Sequence, residues 1–265
     1  MPSAHEQTHS ERPNIRLPYL PALDGLRAIA VIAVLCYHAG LGMSGGFLGV
    51  ETFFVLSGFF VTALLFAEWE QRGSVDFAAF WLRRARRLLP ALGLVLAAIV
   101  AVTALVFPLE LADLGPDLLA SLGYIMNWHL IWSQQSYFDP MLRPPLLQHL
   151  WSLAIEEQFY LIWPVLFLIG MRLLGRRGLV LALLALAGAS SVTMYLMYEP
   201  GVDPSRLYYG TDTRASGLLI GAVLAMIWRP GKLPVFTQRW AGGSLDLLGI
   251  AALIVLGIAY FEFFS

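Results

Sequence analysis

Apolar residues dominate seven stretches of the chain, about 26–43, 48–67, 88–107, 152–171, 178–198, 214–229 and 245–264. Arginines, aspartates and glutamates gather between them. Each stretch is close to the roughly 20 residues a helix needs to cross a bilayer. The pattern predicts an all-α polytopic membrane bundle of about seven to eight transmembrane helices. An eighth stretch, 116–133, is interrupted by Asn127, His129 and aromatic residues, which leaves three courses open: a crossing, an interfacial segment or a re-entrant one.

The basic residues orient the bundle. With the N-terminus cytoplasmic and 116–133 not crossing, 14 basic residues fall inside and only Arg143, Arg206 and Arg214 outside. If 116–133 crosses, the split becomes 11 to 6. Positive charge stays on the cytoplasmic side of membrane proteins, so the first arrangement is preferred. It predicts a multi-pass protein of the plasma (inner) membrane. Residues 1–17 form a polar cytoplasmic tail, with no apolar core of a cleavable signal peptide. Residues 133–149 are then extracytoplasmic and 72–87 cytoplasmic. No internal repeat is visible, so an inverted-repeat transporter has no support. The chain stops on Phe263, Phe264 and Ser265 without a polar tail, which predicts a truncated chain or a short member of a longer family.

Composition supports this picture. Over 265 residues, 58% are hydrophobic and 13% charged, with mean hydropathy +0.69. Soluble domains carry about 25% charged residues, so a soluble globular enzyme is all but excluded. A net charge of −1 gives no field for nucleic acid. The single cysteine, Cys36, excludes an intramolecular disulfide framework and a thiolate metal cluster. No metal site is expected.

Ionisable groups within apolar runs are costly, and each is a functional candidate. Arg27 and His38 are eleven residues apart, which places them on one helix face about 16 Å apart along the axis. Asp24 lies near the same face. An arginine fork suits phosphate, and a neutral imidazole suits proton abstraction from a hydroxyl. An interfacial arginine and a hydrogen-bonded interhelical histidine would read the same way. From His149, a helix carries Ser152, Glu156, Tyr160 and Trp163 on one face, with Glu157 about 80° away; the stripe predicts a lined cavity. Gly45, Gly46 and Gly49 allow a tight turn before Glu51, a carboxylate at a membrane entry. Asp212 and Arg214 are two apart, so on a helix they need other partners. Thr211 or Asp212 also suits a helix N-cap. Arg83, Arg84, Arg86 and Arg87 are either an anchor at anionic lipid or forks for a phosphate-rich ligand.

Five of these segments, in this order, resemble the acyltransferase 3 family of membrane-bound acyltransferases. They are Leu23-Asp-Gly-Leu-Arg27 with His38 completing Arg-x10-His, Gly46-Phe-Leu-Gly-Val-Glu51 through Ser57-Gly58, the Arg83–Arg87 cluster with Leu-Leu-Pro90, His149-Leu-Trp-Ser-Leu-Ala-Ile-Glu-Glu-Gln-Phe-Tyr160, and Thr211-Asp-Thr-Arg-Ala-Ser-Gly-Leu218. The resemblance covers nearly all of 18–229, and 18–265 is taken as one acyltransferase 3-like domain. It implies transfer of an acyl group, acetyl foremost, from cytosolic acyl-CoA to a hydroxyl. The acceptor is a carbohydrate or a lipid-linked one: surface polysaccharide, peptidoglycan or glycolipid. Acyl-CoA is then a co-substrate, no cofactor is held, and membrane lipid is a partner. Glu51 stands where the family usually has aspartate, and Ser216 where an acid is common.

The expected catalytic set is His38, Glu156, Glu157 and Tyr160. The expected substrate-binding set is Asp24, Arg27, Glu51, Arg84, Arg86, Arg87, His149, Trp151, Ser152, Asp212 and Arg214. His38 is expected deep in the membrane, as base for the acceptor or for an acyl-carrying Tyr160 or Ser152, with Glu156 or Glu157 orienting it. The rival reading is a proton-coupled transporter or flippase subunit using His38, Glu51 and Glu156 as a relay. It accounts for the intramembrane charges but not for the clustered arginines.

Overall fold

The computed structural model describes residues 19–139, 141, 143–228 and 235–262, the last as backbone alone at 235–246 and 262. The tail 1–17, Arg229 and Lys232 lie outside the described residues. The described residues form ten α-helices and no strand. They are α1 (Pro21–His38), α2 (Gly49–Arg72), α3 (Phe77–Val106), α4 (Leu114–Leu122), α5 (Met126–Trp132), α6 (Leu150–Leu173), α7 (Gly175–Leu196), α8 (Ser205–Tyr209), α9 (Thr211–Ile227) and α10 (Val235–Glu262).

Five helices, α1, α2 with its preceding turn, α3, α6 and α7, are long and apolar enough to cross a membrane. The expected spans at 214–229 and 245–264 do fold as helices. However, α9 has 17 residues and begins with Thr-Asp-Thr-Arg, and the apolar stretch of α10 is Leu247–Phe261. The described residues thus show five candidate crossings against the seven to eight expected.

Local chemistry sets the boundaries. Pro21 opens α1, where its missing N–H costs nothing. Gly40 (φ 66°) and Gly42 (φ 75°) turn the chain just after His38. The first span is therefore displaced about five residues toward the N-terminus of its apolar run. Asp76 caps α3 by accepting the Ala79 N–H at 2.9 Å. The arginine cluster thus sits inside α3, two turns from its start, and not in a loop. The stretch 116–133 breaks into α4 and α5 at Gly123, Tyr124 and Ile125, with Tyr124 at φ 52°. At 9 and 7 residues, about 14 and 10 Å long, neither crosses a ~30 Å core. Asp117 accepts from His129 Nε2 at 2.9 Å and fastens the two short helices to each other.

The bundle centres on α9, which packs between α2 and α7. Glycine makes the α2–α9 seam. A Cβ on Gly58 would strike the Leu218 carbonyl, and one on Gly221 would strike the Val55 carbonyl. Such small-residue contacts let helix backbones approach closely. Two apolar clusters fill the interior. One, at the His38 end, includes Phe54, Trp151, Tyr208 and Leu218; the other, at the opposite end, includes Leu65, Trp163, Phe167 and Met226.

Candidate functional site: an arginine cleft and a histidine chamber

A cavity of about 450 Å³ opens between α1, α2, α3 and α6. Arg27, Arg83, Arg84, Arg87, Ser57, Glu156 and Tyr160 contribute to its wall. Residues 83, 87 and 84 lie within an arc of about 100° on α3, the flank that faces the cleft. Arg86 is rotated about 200° from Arg84; it is exposed and lines no part of the cleft. Arg27 lies 4.4 Å over the Phe60 ring, and its bond to Asp24 is a loose 3.4 Å. Arg84 donates to Glu157 from Nε at 3.0 Å and from Nη2 at 2.9 Å, while its guanidinium covers the Tyr160 ring at 3.1 Å. Glu156 accepts from Ser57 at 2.8 Å and from Tyr160 at 3.1 Å. Among the described residues Arg83 and Arg87 have no acidic partner, which leaves two free forks facing the cleft.

His38 terminates α1, eleven residues beyond Arg27 and about 16 Å along the axis. It is exposed at the helix end and not buried in mid-bundle as expected. Its Nδ1 lies 2.8 Å from the Val34 carbonyl, which can only accept, so Nδ1 carries the proton in the neutral ring. Nε2 is then the lone-pair nitrogen, and the Tyr137 hydroxyl donates to it at 3.3 Å. Burial pushes the Tyr137 phenol up to about 12, which keeps its O–H in place at neutral pH. Tyr137 packs at 4.3 Å on Tyr208 and at 6.1 Å on Trp151. Tyr208 in turn donates to the Phe47 carbonyl at 3.0 Å. His149, the residue before α6, is driven below the ordinary histidine value by burial, and the nearby His38 adds to this.

Other polar links fasten this chamber to the bundle. Arg214 donates to Glu51 at 3.3 Å across the α2–α9 seam, and its guanidinium sits 4.5 Å from the Tyr208 ring. Arg206 grips Asp212 in a fork at 3.0 and 2.9 Å. Asp212 and Arg214 do find separate partners, as their spacing requires. Gly210 is the N-cap of α9, so neither Thr211 nor Asp212 fills that position. Asn127, fully buried, donates to the Tyr209 carbonyl and to Thr211, and accepts from Gln158 at 2.9 Å.

The expected residues therefore separate into two groups. Arg27, Arg84, Arg87, Glu156 and Tyr160 meet at the cleft, with Glu157 bound to Arg84 behind it. His38, His149 and Trp151 meet at the chamber. Glu156 and Glu157 hold Ser57, Tyr160 and Arg84, and neither touches His38; Tyr160 is likewise engaged away from it. Asp24 is an exposed partner of Arg27 and does not line the cleft. Trp151 is buried among rings, Ser152 follows it on α6, and Glu51 and Asp212 are held by arginines. Arg83 was named in the cluster but not in the expected binding set, and Tyr137 and Tyr208 stood in neither expected set. Tyr137 lies in a loop whose course no periodicity gives. No group of three or more His, Cys, Asp or Glu suited to a metal ion lies among the described residues.

Comparisons with known proteins agree with these features. The family model described as "Acyltransferase domain", acyltransferase 3, matches residues 20–265. Peptidoglycan O-acetyltransferase OatA of Listeria monocytogenes is 43% identical over 238 residues, covering 89% of this chain and 38% of that protein. The putative peptidoglycan O-acetyltransferase YrhL of Bacillus subtilis is 47% identical over 218 residues, 81% of this chain and 34% of its own. O-acetyltransferase OatA of Staphylococcus aureus (strain NCTC 8325) is 39% identical over 244 residues, 92% and 40% respectively. The chain thus spans a third to two-fifths of the length of these relatives. No solved structure matches. With a family model across residues 20–265 of an all-helical bundle, the chain belongs to the acyltransferase 3 family.

Proposed function

We propose that this protein is a membrane-embedded O-acyltransferase that takes an acetyl group from acyl-CoA at the arginine cleft and delivers it to a carbohydrate hydroxyl at the His38 end. The observation that carries the reading is the convergence of Arg27, Arg83, Arg84 and Arg87 on one cavity, three helical turns below a histidine whose Nε2 carries the ring's lone pair. Coenzyme A bears several phosphates at one end and the thioester at the other. Forked guanidiniums are the side chains best suited to those phosphates. The axial distance between Arg27 and His38 requires an elongated donor, with its phosphates low and its thioester high.

The acceptor hydroxyl takes the place of the Tyr137 hydroxyl at His38 Nε2, which accepts its proton. The oxygen attacks the thioester carbonyl, a C–O bond forms and the C–S bond breaks. The sulfur leaves as thiolate and takes up the proton. Tyr137 keeps the ring aligned until the acceptor arrives, and Val34 fixes its tautomer. The names of the relatives make peptidoglycan the first acceptor to try. With this orientation the arginine end faces the cytoplasm of the inner membrane and the His38 end faces away from it.

The test is release of free coenzyme A thiol when purified protein meets acetyl-CoA, with and without soluble peptidoglycan fragments. Acceptor-stimulated release lost in His38→Ala is expected. Release at the wild-type rate from a correctly inserted His38→Ala protein would overturn the assignment.

A further inference from the structure

A second cavity, about 350 Å³, lies on the other side of the α3–α6 seam from the cleft, against the tip of the α4–α5 hairpin. Arg84, Leu88 and Tyr160 line both cavities and wall one off from the other. The second cavity differs in character. It is lined by Trp81, Ala85, Leu89, Tyr124, Ile125 and Leu161, among others, and is almost wholly apolar apart from the paired Arg84 and Glu157 and the engaged Gln158. Three residues on its rim, Leu89, Ile125 and Leu161, are exposed by 53%, 43% and 63%, so the cavity opens on the outer, apolar surface of the bundle. An open apolar hollow on a membrane-facing surface is filled by hydrocarbon.

Beside it stands Arg86. On the α3 wheel, Arg86 lies about 60° from Leu89 on the rim of the hollow and about 60° from Arg83 on the cleft side, and it lines neither cavity. It is exposed and has no acidic partner among the described residues. The uninterrupted apolar stretch of α3 begins two residues later, at Leu88. A cation at the edge of an apolar run, next to a hollow, has the charge complement of a phosphate that carries a chain.

We propose that this hollow is a seat for one anionic phospholipid, with its phosphate on Arg86 and the upper part of an acyl chain between Trp81, Leu89, Ile125 and Leu161. The seat is distinct from the donor cleft and does not depend on the reaction proposed above. It places hydrocarbon against the back of the Arg84–Tyr160 wall, whose front is the cleft.

The full chain in nanodiscs tests this through Trp81. Phosphatidylglycerol or phosphatidylcholine with brominated chains is titrated in, and the Trp81 signal is taken as wild type minus Trp81→Phe. Bromine quenches only at contact. Brominated phosphatidylglycerol is expected to reach half-quenching at about one-fifth the mole fraction that phosphatidylcholine needs, the factor that one arginine contributes at an anionic surface. Arg86→Gln should bring the two curves together. Ala85→Phe, which fills the hollow, should lower the quenching by both lipids while leaving Arg86 in place. Leu161→Phe at the rim is a milder alternative with the same expected direction. Superimposable curves for the two lipids in wild type, or an undiminished preference in Arg86→Gln, would overturn the seat. The measurement involves no acyl donor, so its failure leaves the transferase reading standing, and failure of that reading leaves the seat standing.

Discussion

Arg83 and Arg87 differ from Arg86 by a rotation of α3 and by nothing else in their chemistry, so the trio is its own control. The two cleft residues face the proposed donor site with free guanidiniums, while Arg86 points out of it. A charge-assisted hydrogen bond is worth about 1.5–3 kcal/mol. The cleft opens to solvent, so the lower end applies, and about 1.4 kcal/mol is tenfold in a binding constant. Arg83→Gln and Arg87→Gln are each expected to raise the dissociation constant of acetyl-CoA about tenfold. The double variant should fall short of a hundredfold, because residues four apart that share one polyphosphate are not independent. Arg87→Lys should recover part of the loss, since a point charge replaces a fork. Arg86→Gln should stay within about twofold, as is usual for a surface change away from a site. Calorimetric titration with acetyl-CoA, free coenzyme A and S-acetylpantetheine completes the design. The first two ligands carry the phosphates and should lose the same factor; the third has none and should be indifferent. Equal effects of Arg83, Arg86 and Arg87 on acetyl-CoA binding would refute the reasoning and reduce the cluster to a membrane anchor.

Other expected outcomes follow from the same geometry. His38→Ala should lower kcat by roughly 10²–10⁴ with donor affinity nearly intact, whereas Arg27→Ala should weaken donor affinity; a kinetic comparison with direct donor titration separates them. Tyr137→Phe removes the donor to Nε2 and should cost about three- to tenfold in kcat with donor affinity unchanged, the worth of a neutral hydrogen bond. His149 titrates lower in the folded chain than in the unfolded one, so the unfolded state takes up the proton first as pH falls. Stability should therefore be full above the ordinary histidine value of 6.5 and decline below it, and His149→Gln should flatten that decline in melting curves taken from pH 8 to 5. Gly221→Ala forces a Cβ onto the Val55 carbonyl and should destabilise by about 1–3 kcal/mol, while Gly93→Ala, with nothing within 4 Å, should not; thermal unfolding of both decides.

Much of this molecule was legible in its sequence, and the illegible parts have physical reasons. Long apolar runs report helices well, because a 20-residue excess of leucine and valine has few other uses. The run alone does not say where a helix stops. The first run continues through Leu41, but Gly40 and Gly42 end α1 at His38, which moves that imidazole from mid-bundle to the rim. Spacing placed Arg27 and His38 on one face, and it separated Asp212 from Arg214. It also contained the answer for Arg86, whose wheel position opposes Arg84. Partners across helices were not legible: nothing in the sequence pairs Arg84 with Glu157, Arg214 with Glu51 or Ser57 with Glu156. Tyr137 was out of reach for a similar reason. It comes to His38 through the loop after α5, which Ser205 secures by accepting the Tyr137 backbone N–H at 2.7 Å.

The α2–α9 seam has a mechanical consequence. Where glycine lets two backbones touch, no side chain remains to yield, and the two helices behave as a single rod clamped at one end by Glu51 and Arg214. A rod of that kind does not flex to admit and release a bulky donor. Movement falls to whichever neighbour is held by fewer and more reversible contacts. That neighbour is α3, tied to α6 by one forked ion pair, the Arg84 guanidinium over the Tyr160 ring, one indole hydrogen bond from Trp81 to the Tyr160 carbonyl and a few leucines. The helix that carries the arginines is thus held less firmly than the glycine-welded pair beside it.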